Sequence, residues 1–194
     1  AYAFENCYNL TEVTFEEGGT GMTIGNSAFA KCIKLSVVAL PAYTTSIGDS
    51  AFSGDSSMTT FVIPEGVITI GAMALNGTKI TTIHIPANVT SIGDGAFANT
   101  PLVTVTFAEG DNPLALGTAS NTSNTNGVFY NTKIVEFAVG NRVTEIGAYA
   151  FAECDSLTHV VMAESVERIG VDVLKGCDQL EFLSVPFVGA NSAA

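Results

Sequence analysis

"SIGDSAFSGD" (residues 46–55) and "SIGDGAFANT" (residues 91–100) are nearly the same decapeptide, placed twice in one chain of 194 residues. Their shared Ile–Gly pair recurs. It stands at Ile24-Gly25, Ile47-Gly48, Ile70-Gly71, Ile92-Gly93, Ile146-Gly147 and Ile169-Gly170, at intervals of 23, 23, 22, 54 and 23. Leu116-Gly117 fills the long interval, with its aromatic delayed to Phe129 by the polar stretch "TASNTSNTN". The opening "AYAFENC" reads as the tail of one more unit, so the chain looks like a fragment that starts inside a repeat. A steady period of this length marks a solenoid, in which each unit buries its apolar face only against its neighbours.

Each unit divides into three parts. The first is a short strand: "LTEVTF", "LSVVAL", "MTTFVI", "ITTIHI", "LVTVTF", "IVEFAV", "LTHVVM" and "LEFLSV", apolar at positions 1, 4 and 6 in every case. Positions 4 and 6 follow the two-residue period of a strand, so positions 3 and 5 face outward. The second part is a tight turn, often carrying Pro (Pro41, Pro64, Pro86, Pro186), which ends a ladder because it has no amide donor. The third is an extended stretch closing on the Ile–Gly pair, as in "VITIG" and "VTEIG". After the glycine, a small residue precedes a large one: Ala28-Phe29, Ala51-Phe52, Ala74-Leu75, Ala96-Phe97, Val128-Phe129, Ala150-Phe151 and Val173-Leu174. This piece reads as one helical turn, held only because its aromatic enters the core.

Three residues after the aromatic runs a column of Cys7, Cys32, Asp55, Thr78, Thr100, Thr132, Cys154 and Cys177. These small side chains can bond buried backbone groups where the chain turns. The cysteines read as thiols first and disulfides second, and the two pairs are too far apart in sequence for one zinc site. Asn26, Asp49 and Asp94, each following a glycine, read as caps of the helical turn rather than calcium ligands.

With 19 acidic and 7 basic residues the net charge is −12, which opposes non-specific nucleic-acid binding and attraction to anionic membranes. No apolar run is long enough to span a bilayer, so no membrane insertion of this segment is expected.

"IGDSAFSGDSSMTTFVIPEGVITIG" and "IGDGAFANTPLVTV" resemble the BspA-type leucine-rich repeat, known also from treponemal surface proteins. The resemblance runs from Ala1 to about Pro186. The expected fold is an α/β-type repeat solenoid: a right-handed superhelix of about eight units of 22–24 residues, with short parallel strands and short helical turns. Residues 1–186 form this solenoid, with an insertion at 118–127. Residues 187–194 form a tail that caps the stack or leads to a further domain. The resemblance implies a bacterial cell-surface or secreted protein, no enzyme activity and no cofactor. It implies a protein ligand, either host extracellular matrix or another bacterial surface protein.

The candidate binding face is the outward strand side, marked by Val37, Thr60, Val62, Thr82, His84, Thr104, Glu136, His159 and Phe182. It is poor in charge and rich in β-branched residues. That composition suits an exposed sheet by propensity alone, and it also suits a docking strip. His84 and His159 lie three units apart and cannot act on one atom. "GGTG" at 18–21 lacks the Lys-Ser/Thr of a phosphate loop. The readings that remain are an adhesion module, a structural spacer displaying another domain, and the non-catalytic part of a larger secreted enzyme.

Overall fold

In the computed structural model, residues 1–16, 18–118 and 125–185 are described. The tail 187–194, Pro186 and most of the 118–127 insertion lie outside them. Two sets of parallel strands alternate along the chain. The outward-facing first stretches give β1 (Glu12–Val13), β3 (Val37–Val38), β6 (Thr82–Ile85), β8 (Thr104–Phe107), β10 (Glu136–Ala138), β12 (His159–Val161) and β14 (Phe182–Ser184). The stretches ending at the Ile–Gly pair give β2 (Met22–Ile24), β4 (Thr44–Ile47), β5 (Thr69–Ile70), β7 (Ser91–Ile92), β9 (Leu114–Leu116), β11 (Val143–Ile146) and β13 (Arg168–Ile169).

The second set forms one continuous seven-stranded sheet, ordered β13-β11-β9-β7-β5-β4-β2. Its register aligns Ile24, Ile47, Ile70, Ile92, Leu116, Ile146 and Ile169 in a single row, so Leu116-Gly117 is the pair hidden in the long interval. The glycines permit this stacking. A Cβ on Gly71 would lie 2.4 Å from the amide nitrogen of Asp49 in the previous coil, closer than any side chain can sit.

The expected helical turns are absent: among the described residues no helix of any kind occurs, and the chain is an all-β solenoid. The reason lies in how the segment after the glycine uses its amides. In residues 48–55, Ala51, Ser53 and Asp55 donate three residues back, to Gly48, Ser50 and Phe52. The alternate amides of Ser50, Phe52 and Gly54 instead donate to Ala72, Ala74 and Asn76 in the next coil, at 2.7–2.8 Å. Ser50 and Gly54 have φ of 53° and 80°. A positive φ at the third residue of a turn belongs to type II turns and breaks a right-handed helix. The segment is therefore a run of tight turns, half bonded to itself and half to its neighbour.

This second ladder carries the core aromatics. Phe29, Phe52, Leu75, Phe97, Phe129 and Phe151 are buried, with stacked rings at 5.4 Å for Phe29–Phe52 and 5.3 Å for Phe129–Phe151. The ladder crosses the insertion without a break. The Phe97 amide donates to Val128 at 2.9 Å, and the Phe97 and Phe129 rings stack at 5.7 Å.

Two ionisable groups are buried in the stack. Arg142 donates to four backbone carbonyls: Pro86 at 2.6 Å, Val89 at 2.7 Å, Ala108 at 3.2 Å and Asn112 at 3.3 Å. It fills the space beneath the widened turn 108–113 and makes no ion pair among the described residues. Asp55 is fully buried; its Oδ1 accepts the Cys32 amide at 2.8 Å, and its Oδ2 has no hydrogen-bond partner. Burial pushes its carboxyl up to about 8.

Candidate interaction face

Residues at strand positions 3 and 5 point outward because positions 4 and 6 are held inside. Phe61, Ile63, Ile83, Ile85, Phe137 and Val160 are buried, whereas Val62 is 76 % and Val37 51 % exposed. The pairing on this side is discontinuous. β1 pairs with β3, β6 with β8, and β10 with β12 and β14. Between the first two groups, Thr60–Ile63 follow the same apolar pattern as β6, yet no backbone hydrogen bond joins them to either neighbour.

The register sorts the candidate residues into groups. Val37 stands beside Glu12. Thr82 and His84 stand beside Thr104 and Thr106, and the His84 Nδ1 and Thr106 Oγ1 are 2.9 Å apart. Glu136, His159 and Phe182 form a third row, with the His159 and Phe182 rings stacked at 5.8 Å. A cleft of about 330 Å³ lies between the unpaired strand and β6, lined by Phe61, Val62, Glu65, Thr82, His84 and Thr104 among others. Val62, Thr82, His84 and Thr104 thus share one depression. Val37, Thr60, Glu136, His159 and Phe182 lie outside its lining.

Sequence reasoning passed over Glu65, the one carboxylate lining the cleft. Its signal was the lone charge in "VIPEGV", three residues after the outward Val62. Arg142 was also missed; it is a cation in a turn column where other units carry Tyr43, Gly66 and Asn88. The Asx residues serve differently from the expected caps. Asn26 Oδ1 accepts the Asp49 amide, Asp49 Oδ1 the Ala72 amide and Asp94 Oδ1 the Thr118 amide, each in the next coil, at 3.0, 2.8 and 2.8 Å.

In the cysteine column, Cys154 and Cys177 donate to the carbonyls of Phe129 and Phe151 one coil back, at 3.1 and 3.0 Å. Thr78 and Thr100 donate to the aromatic-column carbonyl of their own coil, at 2.9 and 2.8 Å. All four cysteines are free thiols, and burial pushes Cys32 and Cys177 up to about 11. Among the described residues no group of three or more His, Cys, Asp or Glu is placed to hold a metal ion. No helix of the described residues is long and apolar enough to cross a membrane.

The chain belongs to the BspA type leucine-rich repeat family, whose pattern matches residues 1–117 and 114–188 in six copies. Among solved structures, a leucine rich cell surface protein from Faecalibacterium prausnitzii is 29% identical, with a TM-score of 0.56 over 94% of this chain and 56% of its own. A leucine-rich repeat protein from Bacteroides ovatus is 21% identical, with a TM-score of 0.51 over 92% of this chain and 67% of its own. The T. pallidum leucine rich repeat protein is 22% identical, with a TM-score of 0.52 over 84% of this chain and 62% of its own. The last two bear on the fold alone. The chain therefore spans between 56% and 67% of the length of these relatives. No curated protein sequence matches it.

Proposed function

We propose that this chain is a non-enzymatic module displayed on the outside of a bacterial cell, binding a protein partner through the strand face around Val62, Thr82 and His84. The observation that carries this reading is the cleft beside the unpaired Thr60–Ile63 strand, where an exposed valine, threonines and a histidine meet in a depression of about 330 Å³. Along the Ile–Gly side each coil pairs with the next, whereas Thr60–Ile63 make no backbone hydrogen bond to either neighbouring strand. Family membership supports the absence of chemistry, and the relative from F. prausnitzii, described as a cell surface protein, supports the location. The partner is a protein of the host extracellular matrix or of another bacterial surface.

Lysines at Val62 and Thr82 place two solvated charges in the depression while touching no core contact. Binding of the parent and of the Val62→Lys/Thr82→Lys variant to immobilised matrix proteins and to intact bacteria tests the reading, with circular dichroism confirming equal folding. The parent is expected to bind and the double variant to lose binding at least about tenfold, as when charge is placed in a docking patch. A partner retained equally by both would leave the stack as a spacer.

A further inference from the structure

The open strand narrows what the partner must bring. We propose that the cleft between Thr60–Ile63 and β6 receives an arginine side chain of the partner protein, its guanidinium donating to backbone carbonyls of the unpaired strand beside Glu65. This rests on the docking reading above and deepens it.

Three observations converge. First, the carbonyls of Thr60, Phe61, Val62 and Ile63 accept no backbone hydrogen bond, although Phe61, Val62 and Ile63 line the cleft. An apolar partner group would leave these acceptors without a donor, which disfavours binding. The occupant must carry donors. Second, this chain fills another gap between its coils with an arginine. Arg142 gives its guanidinium to the carbonyls of Pro86, Val89, Ala108 and Asn112, with no carboxylate partner among the described residues. A planar fork with five donors can satisfy several carbonyls at once, which a lysine ammonium does less well. Third, the cleft carries a carboxylate and no lysine or arginine lines it. Glu65 is exposed and lines the cleft itself. An anionic partner group would meet this carboxylate with nothing to balance it, whereas a cation finds a counter-charge.

The probe is the tripeptide acetyl-Thr-Arg-Thr-amide, titrated into isotope-labelled protein and followed by amide NMR shifts. Its lysine and citrulline counterparts serve as comparisons, the latter keeping the shape without the charge. Saturable shifts should centre on Thr60–Ile63 and Thr82–His84. The arginine peptide should bind about tenfold tighter than the citrulline one, and Glu65→Gln should weaken it about fivefold, as for a charge-assisted contact at a partly solvated site. Equal binding of arginine and citrulline, shifts centred elsewhere, or indifference to Glu65→Gln would each overturn the proposal.

A second arm separates it from the reading on which it rests. The captured partner is treated with phenylglyoxal, which blocks arginine. A partner lost on Val62→Lys/Thr82→Lys but kept after phenylglyoxal would leave the docking face standing and remove the arginine. A partner indifferent to the lysines would remove the docking face, even with the tripeptide seated in the cleft.

Discussion

Between Ile24 and Ile169 seven strands pair without a gap, while on the other side of the same coils the strands pair only in groups of two, two and three. The turn segments side with the continuous set: the amides of Phe4, Phe29, Phe52, Leu75, Phe97, Phe129 and Phe151 each reach the next coil at 2.8–2.9 Å. The difference teaches where the fold resides. The side built on glycine approach and alternating amides keeps its ladder through two local register shifts, at Met22/Thr23 and at Val143/Glu145. The strand side is anchored by buried side chains rather than by backbone ladders, so a whole strand can drop its hydrogen bonds and stay in place. That leaves the strand side free to carry recognition.

The comparison breaks most severely at the aromatic column. Phe97→Ala, at a fully buried position, should cost about 3–5 kcal/mol. His84→Ala, on the exposed strand side, should stay within about 0.5 kcal/mol. Urea melts decide between them, and equal losses would mean the two sides have been misjudged.

Comparable in size is the titration of Asp55. Its carboxyl is raised by burial to about 8, so the folded state holds a proton that the unfolded chain releases near its ordinary value of about 4. The contribution of this group to stability is therefore greatest in acid. It should fall by about tenfold in the folding equilibrium per pH unit from roughly 4 to 8, and level off above. The Cys32 amide on Oδ1 moderates the rise without cancelling it. Asp55→Cys keeps the link length of "CIKL" and "CDSL" and offers a thiol like that of Cys154. Melts at pH 5, 7 and 9 should show the parent losing stability relative to this variant as pH rises. Parallel profiles would count against a protonated Asp55.

The smallest effect is expected at the insertion. Deleting residues 119–126 joins Thr118 to Gly127 and restores the glycine-to-aromatic spacing of "GDSAF". Asp94 already fixes Thr118, and the Phe97 amide already meets Val128 across the gap. The change should be under about 1 kcal/mol, since loop closure depends weakly on length. A thermal melt displaced by more than a few degrees would show the continuous side leaning on the inserted residues.

Much of this was legible beforehand. The Ile–Gly period gave the coil count and the register, because apolar spacing reports directly on what is buried. The alternation at strand positions 4 and 6 gave the outward residues for the same reason. The helical turn was misread because a small residue before a large one suits a helix as well as a turn. The left-handed residues at Ser27, Ser50, Met73 and Tyr149 carry no compositional mark. At the second left-handed position of the coils, Gly54, Gly77, Asn99, Asn131 and Gly176 do carry one, as residues at ease with positive φ, whereas Lys31 and Glu153 do not. The open strand was not legible at all. "MTTFVI" and "ITTIHI" share one pattern, and pairing depends on how far apart the coils lie.

Those left-handed residues set a lower limit on size. Eleven described residues other than glycine hold a positive φ, mostly in pairs four apart, such as Ser27 with Lys31 and Tyr149 with Glu153. Each costs roughly 1–2 kcal/mol for an L-residue. An inner coil offsets that cost with contacts on two sides, a terminal coil with contacts on one, and a solitary coil with none. The unfavourable term thus grows with the number of coils, while the favourable one grows with the number of junctions between them. A piece of one or two coils cut from this chain should stay unfolded in water, and order should set in only once inner coils outnumber ends.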